Sequence, residues 1–293
     1  MGKVTEIADY SNACGEGPIW DFSGQRLLWL DSEGYDVFEY VPAGGQSRRI
    51  STDLRASSII LDSAGLILLG DGIWFWPDGQ EKRKALDSFE GEKLYFNDSV
   101  AGPDGNIYGG TYYWGDGMEK HGKLYRISPG PEIEIIEDGV KLSNGLAFSP
   151  GGDILYYTDS AARCIFAFDF NRGRIKNKRE HIRFAADKGI PDGITVDSEG
   201  FIWVAVWYGG MVERYDPDGK LERSIAFPAR QVSSVTFGDS DMDTLFVTSA
   251  QGFFPGELVP AGFPLDEYMG GALYSCKPGV RGRPENVVDF DIA

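Results

Sequence analysis

Histidine is almost missing from this chain: only His121 and His181 occur among 293 residues. Neither lies in a nucleophile-elbow context, so serine-histidine-aspartate catalysis is disfavoured, and both are expected on surface loops. Cysteine is equally sparse. Cys14, Cys164 and Cys276 are an odd number at wide spacing, with no CxxC or Cys/His cluster, which points away from a disulfide framework and from a zinc-finger-type site. Positive charge is in deficit, with 28 Lys plus Arg against 45 Asp plus Glu and a net charge of -17. That balance repels phosphate backbones and anionic lipid, so neither nucleic acid nor a membrane is an expected partner. No apolar run approaches membrane-spanning length, and MGKVTEIADY lacks a signal-peptide core, so a cytoplasmic location is expected. Long helical periodicity is also lacking, and the tract at 184–189 is too short to change the class.

What the chain has in quantity is turns. Its 39 glycines recur in a pattern, Asp/Ser/Pro-x-x-Gly followed by a short β-rich run: DFSGQRLLWLD, DSAGLILLG, GPDGNIYGGT, SPGGDILYYTD and DSEGFIWVAV. Their turn glycines, Gly24, Gly65, Gly105, Gly152 and Gly200, are 41, 40, 47 and 48 residues apart, a spacing typical of one propeller blade. A sixth copy, VSSVTFGDSDMDTLFVTSA, lacks the glycine. Most copies are followed by a further strand, as in VFEYV, KLYRI, IFAFDF, MVERYD and ALYSC, giving three strands of a four-stranded blade. The expected fold is all-β, a six-bladed β-propeller forming a single domain over 1–293. The Gly/Pro-rich stretch 251–271 reads as a long loop within the last blade.

The repeat register aligns one further column, five residues before each turn: Glu16, Ser57, Asn97, Asn144, Asp192 and Ser234. Every member carries a side-chain oxygen and stands at the start of a predicted inner strand, so the column should converge on the channel axis. Buried carboxylates and amides are unfavourable unless paired or coordinated. Oxygen donors without thiolate or imidazole suit a hard divalent ion, calcium foremost, with magnesium, manganese or zinc compatible. Any single Asn or Asp here also fits a turn-capping role. The coincidence of Glu16, Asn144 and Asp192 in three blades favours a metal site, and Asn97 is weaker because Asp98 beside it is an equally good turn former.

At these residues the sequence resembles the SMP-30/gluconolactonase/luciferin-regenerating-enzyme family. The likeness rests on GEGPIWD, FNDSVAGPDGNIYGGT, LSNGLAFSPGGDILYYTDS, PDGITVDSEGFIWVAVW, SSVTFGDSDMDTLFVTSA and GGALYSCKPGVRGRPEN. It implies one divalent metal held at Glu16, Asn144 and Asp192, Asn97 near metal and substrate, and hydrolysis of a sugar-derived lactone. One departure stands out: where members acting on sugar lactones often carry Arg two residues before the Asn of FND, this chain has Tyr95, which lacks the guanidinium fork.

On that basis Asp192 is the expected general base, and a small-molecule lactone the expected partner. Trp114 and Glu119, in the connection that also holds His121, are candidate substrate contacts with Asn97 and Tyr95. Trp207 is read either as a pocket wall or as packing, and Trp20, Trp29, Trp74, Trp76 and Trp203 as core. Two other readings are compatible with the column: a propeller hydrolase of another ester, an aryl lactone or a phosphotriester, and a non-catalytic metal-binding or interaction propeller. The sequence fixes no oligomeric state.

Overall fold

The computed structural model describes residues 2–113, 121–252, 258–264 and 266–292. Six antiparallel four-stranded sheets are arranged about one axis. Their inner strands are Gly15–Asp21, Ala56–Asp62, Phe96–Ala101, Ser143–Phe148, Ile190–Val196 and Val232–Gly238. Each packs against the inner strands of both neighbours, and the sixth meets the first, which closes a six-bladed β-propeller. No α-helix occurs among the described residues, only a short 3-10 turn at Pro42–Gly44.

Burial falls from axis to rim, as sequence composition dictates. ASSIILD and IPDGITV are buried at every position because a sheet lies on either side. The outer strand RIKNKREHIR of blade 4 is mostly exposed. VFEYV, KLYRI, IFAFDF, MVERYD and ALYSC are third strands, as the repeats imply. The fourth strands were not recognised: short or highly charged, they lack clean two-residue alternation. Blade 6 takes its fourth strand from the other end of the chain, Thr5–Asp9 pairing with Ala272–Cys276.

The DSEG turn shows why the repeat has its form. Asp197 accepts hydrogen bonds from the amides of Glu199 and Phe201, and from Trp203 Nε1 and the Arg214 guanidinium. Gly200 takes φ 87°, in the left-handed region that disfavours a side chain.

After the third strand of blade 6, residues 277–292 cross the face where the inner strands end. Ser198 N donates to Arg281 O, and Gly282 N to Met242 O. Arg283 Nη2 donates to Phe148 O, Asn286 Nδ2 to Ala101 O, Val288 N to Leu61 O, and Phe290 N to Asp62 Oδ2. This strap joins blades 6, 5, 4, 3 and 2 beneath the channel, and Val288, Phe290 and Ile292 are buried against blades 2 and 3.

Two side-chain expectations are corrected here. His181 is on the outer strand of blade 4, half-buried against Tyr156 at 5.1 Å between ring centroids, where the two-sided packing of the strand replaces a surface loop. Trp20, Trp29 and Trp203 are core, but Trp74 and Trp76 are only half-buried. The outer strand beside them, Arg83–Leu86, is too short to cover them, and Lys84 and Lys82 lie over their rings instead, each 4.9 Å from the centroid.

Candidate metal and active site

The ladder between first and second strands breaks near its mouth end in all six blades. The register skips between Glu16 and Ile19, Ala56 and Ser58, Phe96 and Asp98, Ser143 and Leu146, Pro191 and Ile194, and Val232 and Ser234. Such bulges re-aim a side chain that pleating would otherwise direct into a blade interface. In blades 2 to 5 the column residues Ser57, Asn97, Asn144 and Asp192 are the skipped ones. In blade 6 the skipped residue is Ser233, one before the expected Ser234. Ser234–Gly238 lie between that bulge and the glycine-free turn that starts at Asp239, so counting five back from Asp239 stops one residue short.

Hydrogen bonds around the mouth explain the residue types. Ser57 Oγ donates to Phe96 O of the next blade at 2.8 Å, and Asn97 Nδ2 to Ser143 O at 2.7 Å. Asn144 Nδ2 donates to Ser160 Oγ at 2.8 Å, which donates to Pro191 O at 2.6 Å. Ser233 Oγ donates to Gly15 O at 2.5 Å. Each column residue able to donate thus links its blade to the next, directly or through Ser160. The two that are acceptors when ionised, Glu16 and Asp192, cannot take part. Glu16 receives only its neighbour's amide, Gly17 N to Oε2 at 3.2 Å, and Asp192, 5% exposed, receives no hydrogen bond among the described residues.

The loops that deliver these groups are fixed from behind. Asp31, closing the second strand of blade 1, accepts from the amides of Ala13 and Cys14, just ahead of Glu16. Asp159 does the same in blade 4 for Lys141 and Leu142, ahead of Asn144. Gly145 lets adjacent inner strands touch, since a Cβ there would lie 2.6 Å from Asp192 O. Asn144 is thereby held against the strand carrying Asp192, and its Oδ1 accepts from Asn97 Nδ2 at 2.7 Å, leaving one lone pair for another partner.

Electrostatically this is a concentration of negative charge. Burial, then the charge of Asp192 and that of Asp98, push the Glu16 carboxyl well above its ordinary value. Burial and the Asp98 charge do the same to Asp192. Asp192, without a donor among the described residues, and Glu16, with a single neighbouring amide, form with the Asn144 amide oxygen an all-oxygen set that a hard divalent cation fits. Among the described residues no three His, Cys, Asp or Glu side chains cluster as metal ligands, in keeping with a set that needs an amide as its third member.

Asn97 is drawn to Asn144. Tyr95, 37% exposed, stands just ahead of the inner strand of blade 3, bridged to Asp71, with its ring edge-on to Tyr113 at 6.3 Å. Trp114 and Glu119 lie outside the described residues. Trp207 is 7% exposed and packs edge-on to Tyr208, so it serves as packing. Sequence reasoning missed Ser160, which carries the Asn144 link, and Tyr208, whose hydroxyl feels the Asp192 charge. The repeat signals neither, because both fall after the second strand, where blades differ.

The six-bladed propeller thus gathers two carboxylates, short of donors among the described residues, and two linked amides at its mouth. The profile described as SMP-30/Gluconolactonase/LRE-like region matches residues 14–251, and the chain belongs to that family. It is 32% identical to a pentonolactonase of Haloferax volcanii over 96% of this chain and 97% of the relative, and 32% identical to regucalcin of Sus scrofa over 92% and 93%. Among solved structures, a luciferin-regenerating enzyme superposes with a TM-score of 0.87 at 27% identity, covering 99% of this chain and 100% of the other. No helix among the described residues is long and apolar enough to cross a membrane.

Proposed function

We propose that this protein is a single-domain, divalent-metal-dependent hydrolase that opens a small lactone, of the sugar-derived (aldono-) class. The observation that carries the metal is Asp192: a buried carboxylate without a donor among the described residues, where Ser57, Asn97, Asn144 and Ser233 are all engaged. Lactone hydrolysis as the activity is supported by relatives named pentonolactonase and sugar lactone lactonase. Glu16, Asn144 and Asp192 would hold the ion, calcium being the best match to their oxygens. When bound, the ion would polarise the lactone carbonyl and make nearby water more acidic.

Asp192 accepts a proton from water as the water oxygen bonds to the carbonyl carbon. As the ring C–O bond breaks, Asp192 returns that proton to the departing alkoxide, giving the hydroxy acid. Asn97, fixed by Ser143 O and Asn144, orients the lactone oxygens. Tyr95 offers one hydroxyl and a ring face at the rim, which suits fewer sugar hydroxyls than an arginine fork. Trp114 and Glu119 are proposed to contact substrate from the connection after blade 3's second strand.

A panel of aldonolactones, aryl lactones and phosphotriesters, followed by acid release, tests this reading. Aldonolactone hydrolysis that falls to background after chelation and returns with calcium supports it. Activity confined to phosphotriesters, or unaffected by chelation, overturns it.

A further inference from the structure

Below the mouth lies a cavity of about 60 Å³ with a mixed apolar and polar lining, to which the strap contributes Glu285 and Asn286. Ser58, Asp98, Ser99, Thr195, Ser234 and Glu285 are among its lining residues, supplied by blades 2, 3, 5 and 6 and by the strap itself. Asp98 receives one backbone hydrogen bond, from Ser99 N at 2.7 Å, and Glu285 receives none among the described residues. Neither has a Lys or Arg ion-pair partner there. Ser58 and Ser99 hydroxyls bond to each other. Thr195 and Ser234 are 7% and 6% exposed, yet their hydroxyls find no partner among the described residues.

We propose that this cavity is a second cation site, distinct from the mouth, in which Asp98, Glu285 and the unpartnered Thr195 and Ser234 hydroxyls hold a calcium-like ion. Two carboxylates facing one small cavity, with a single backbone amide on Asp98 and buried hydroxyls left over, present several oxygen donors to one point. The volume accommodates one ion with one or two waters. Burial and the Glu285 charge push the Asp98 carboxyl up to about 7, and burial raises Glu285, the repulsion a bound cation would relieve. Because Glu285 belongs to the strap, an ion here ties the chain's last segment to blades 3, 5 and 6 and stabilises the ring independently of catalysis.

The test is calcium stoichiometry. Wild type, Glu285→Gln and Asp192→Asn are stripped with chelator, equilibrated with calcium alone and measured by equilibrium dialysis, with hydrogen exchange of residues 285–290 recorded with and without calcium. Glu285→Gln should bind one ion fewer per chain than wild type and lose the calcium-dependent protection of the strap. Asp192→Asn should retain that protection. The inner site is overturned if Glu285→Gln binds as many ions as wild type or if calcium leaves strap exchange unchanged. Loss of the mouth site is read separately, from Asp192→Asn binding as many ions as wild type.

Discussion

Asp192 and Asp197 are five residues apart, Asp192 on the inner strand Ile190–Val196 and Asp197 in the turn just after it, at opposite ends of the channel. Both are buried, at 5% and 0% exposure. Asp197 is saturated by two backbone amides, Trp203 Nε1 and Arg214, whose guanidinium also lies 3.6 Å over the Phe201 ring. Asp192 has no donor among the described residues. Carboxylates that hold a fold together are surrounded by donors, whereas one left bare five residues before, with its backbone fixed by a bulge and a glycine contact, has the features of a ligand-binding group.

Substitution at the two ends should separate these roles. Asp192→Asn is expected to lower lactone turnover by about a thousandfold or more, with unchanged circular dichroism and an equal or higher melting temperature in the metal-free protein, since a buried bare charge has been removed. Asp197→Asn should do the reverse. Urea unfolding should show a loss of about 3 kcal/mol from stranding part of the Arg214 charge, with kcat per folded molecule nearly unchanged.

Acid dependence sharpens the contrast. Asp98 holds its proton in the folded protein up to about 7, against an ordinary 3.8. Between those values the folded state binds more protons than the unfolded chain, so this group's contribution to stability falls as pH rises through the window. With Glu16 and Asp192 raised in the same sense, melting of the metal-free protein should weaken between about pH 4 and 7, and added calcium should reverse the trend. The smallest effect belongs to the belt. Ser57→Ala breaks one link between blades 2 and 3 and should reduce stability by about 1 kcal/mol in urea unfolding, with little change in kcat.

Much of this molecule was legible because a repeat is read many times over. The five turn glycines fixed the blade period, and the column five residues before each turn found Glu16, Asn97, Asn144 and Asp192 at the mouth bulges. It slipped by one in blade 6, where the turn glycine is missing and the bulge falls at Ser233, six residues before Asp239. What the repeat could not carry stayed hidden. The fourth strands are too polar to alternate, and the N-terminal strand completes blade 6 through a pairing more than 260 residues apart in sequence. The strap follows no periodicity, so neither its course nor the placement of Glu285 beneath the channel had a local signal. Ser160 and Tyr208 act through inter-blade geometry that no single blade encodes.

The central claim is that Glu16, Asn144 and Asp192 hold one cation. Crystals of the chelator-treated protein soaked in manganese, with anomalous difference maps collected above the manganese edge, address it directly. The account predicts a peak within about 2.5 Å of oxygens from all three side chains, consistent with hard-cation coordination distances. Full-occupancy manganese elsewhere in the crystal, with no peak among those three, would contradict it.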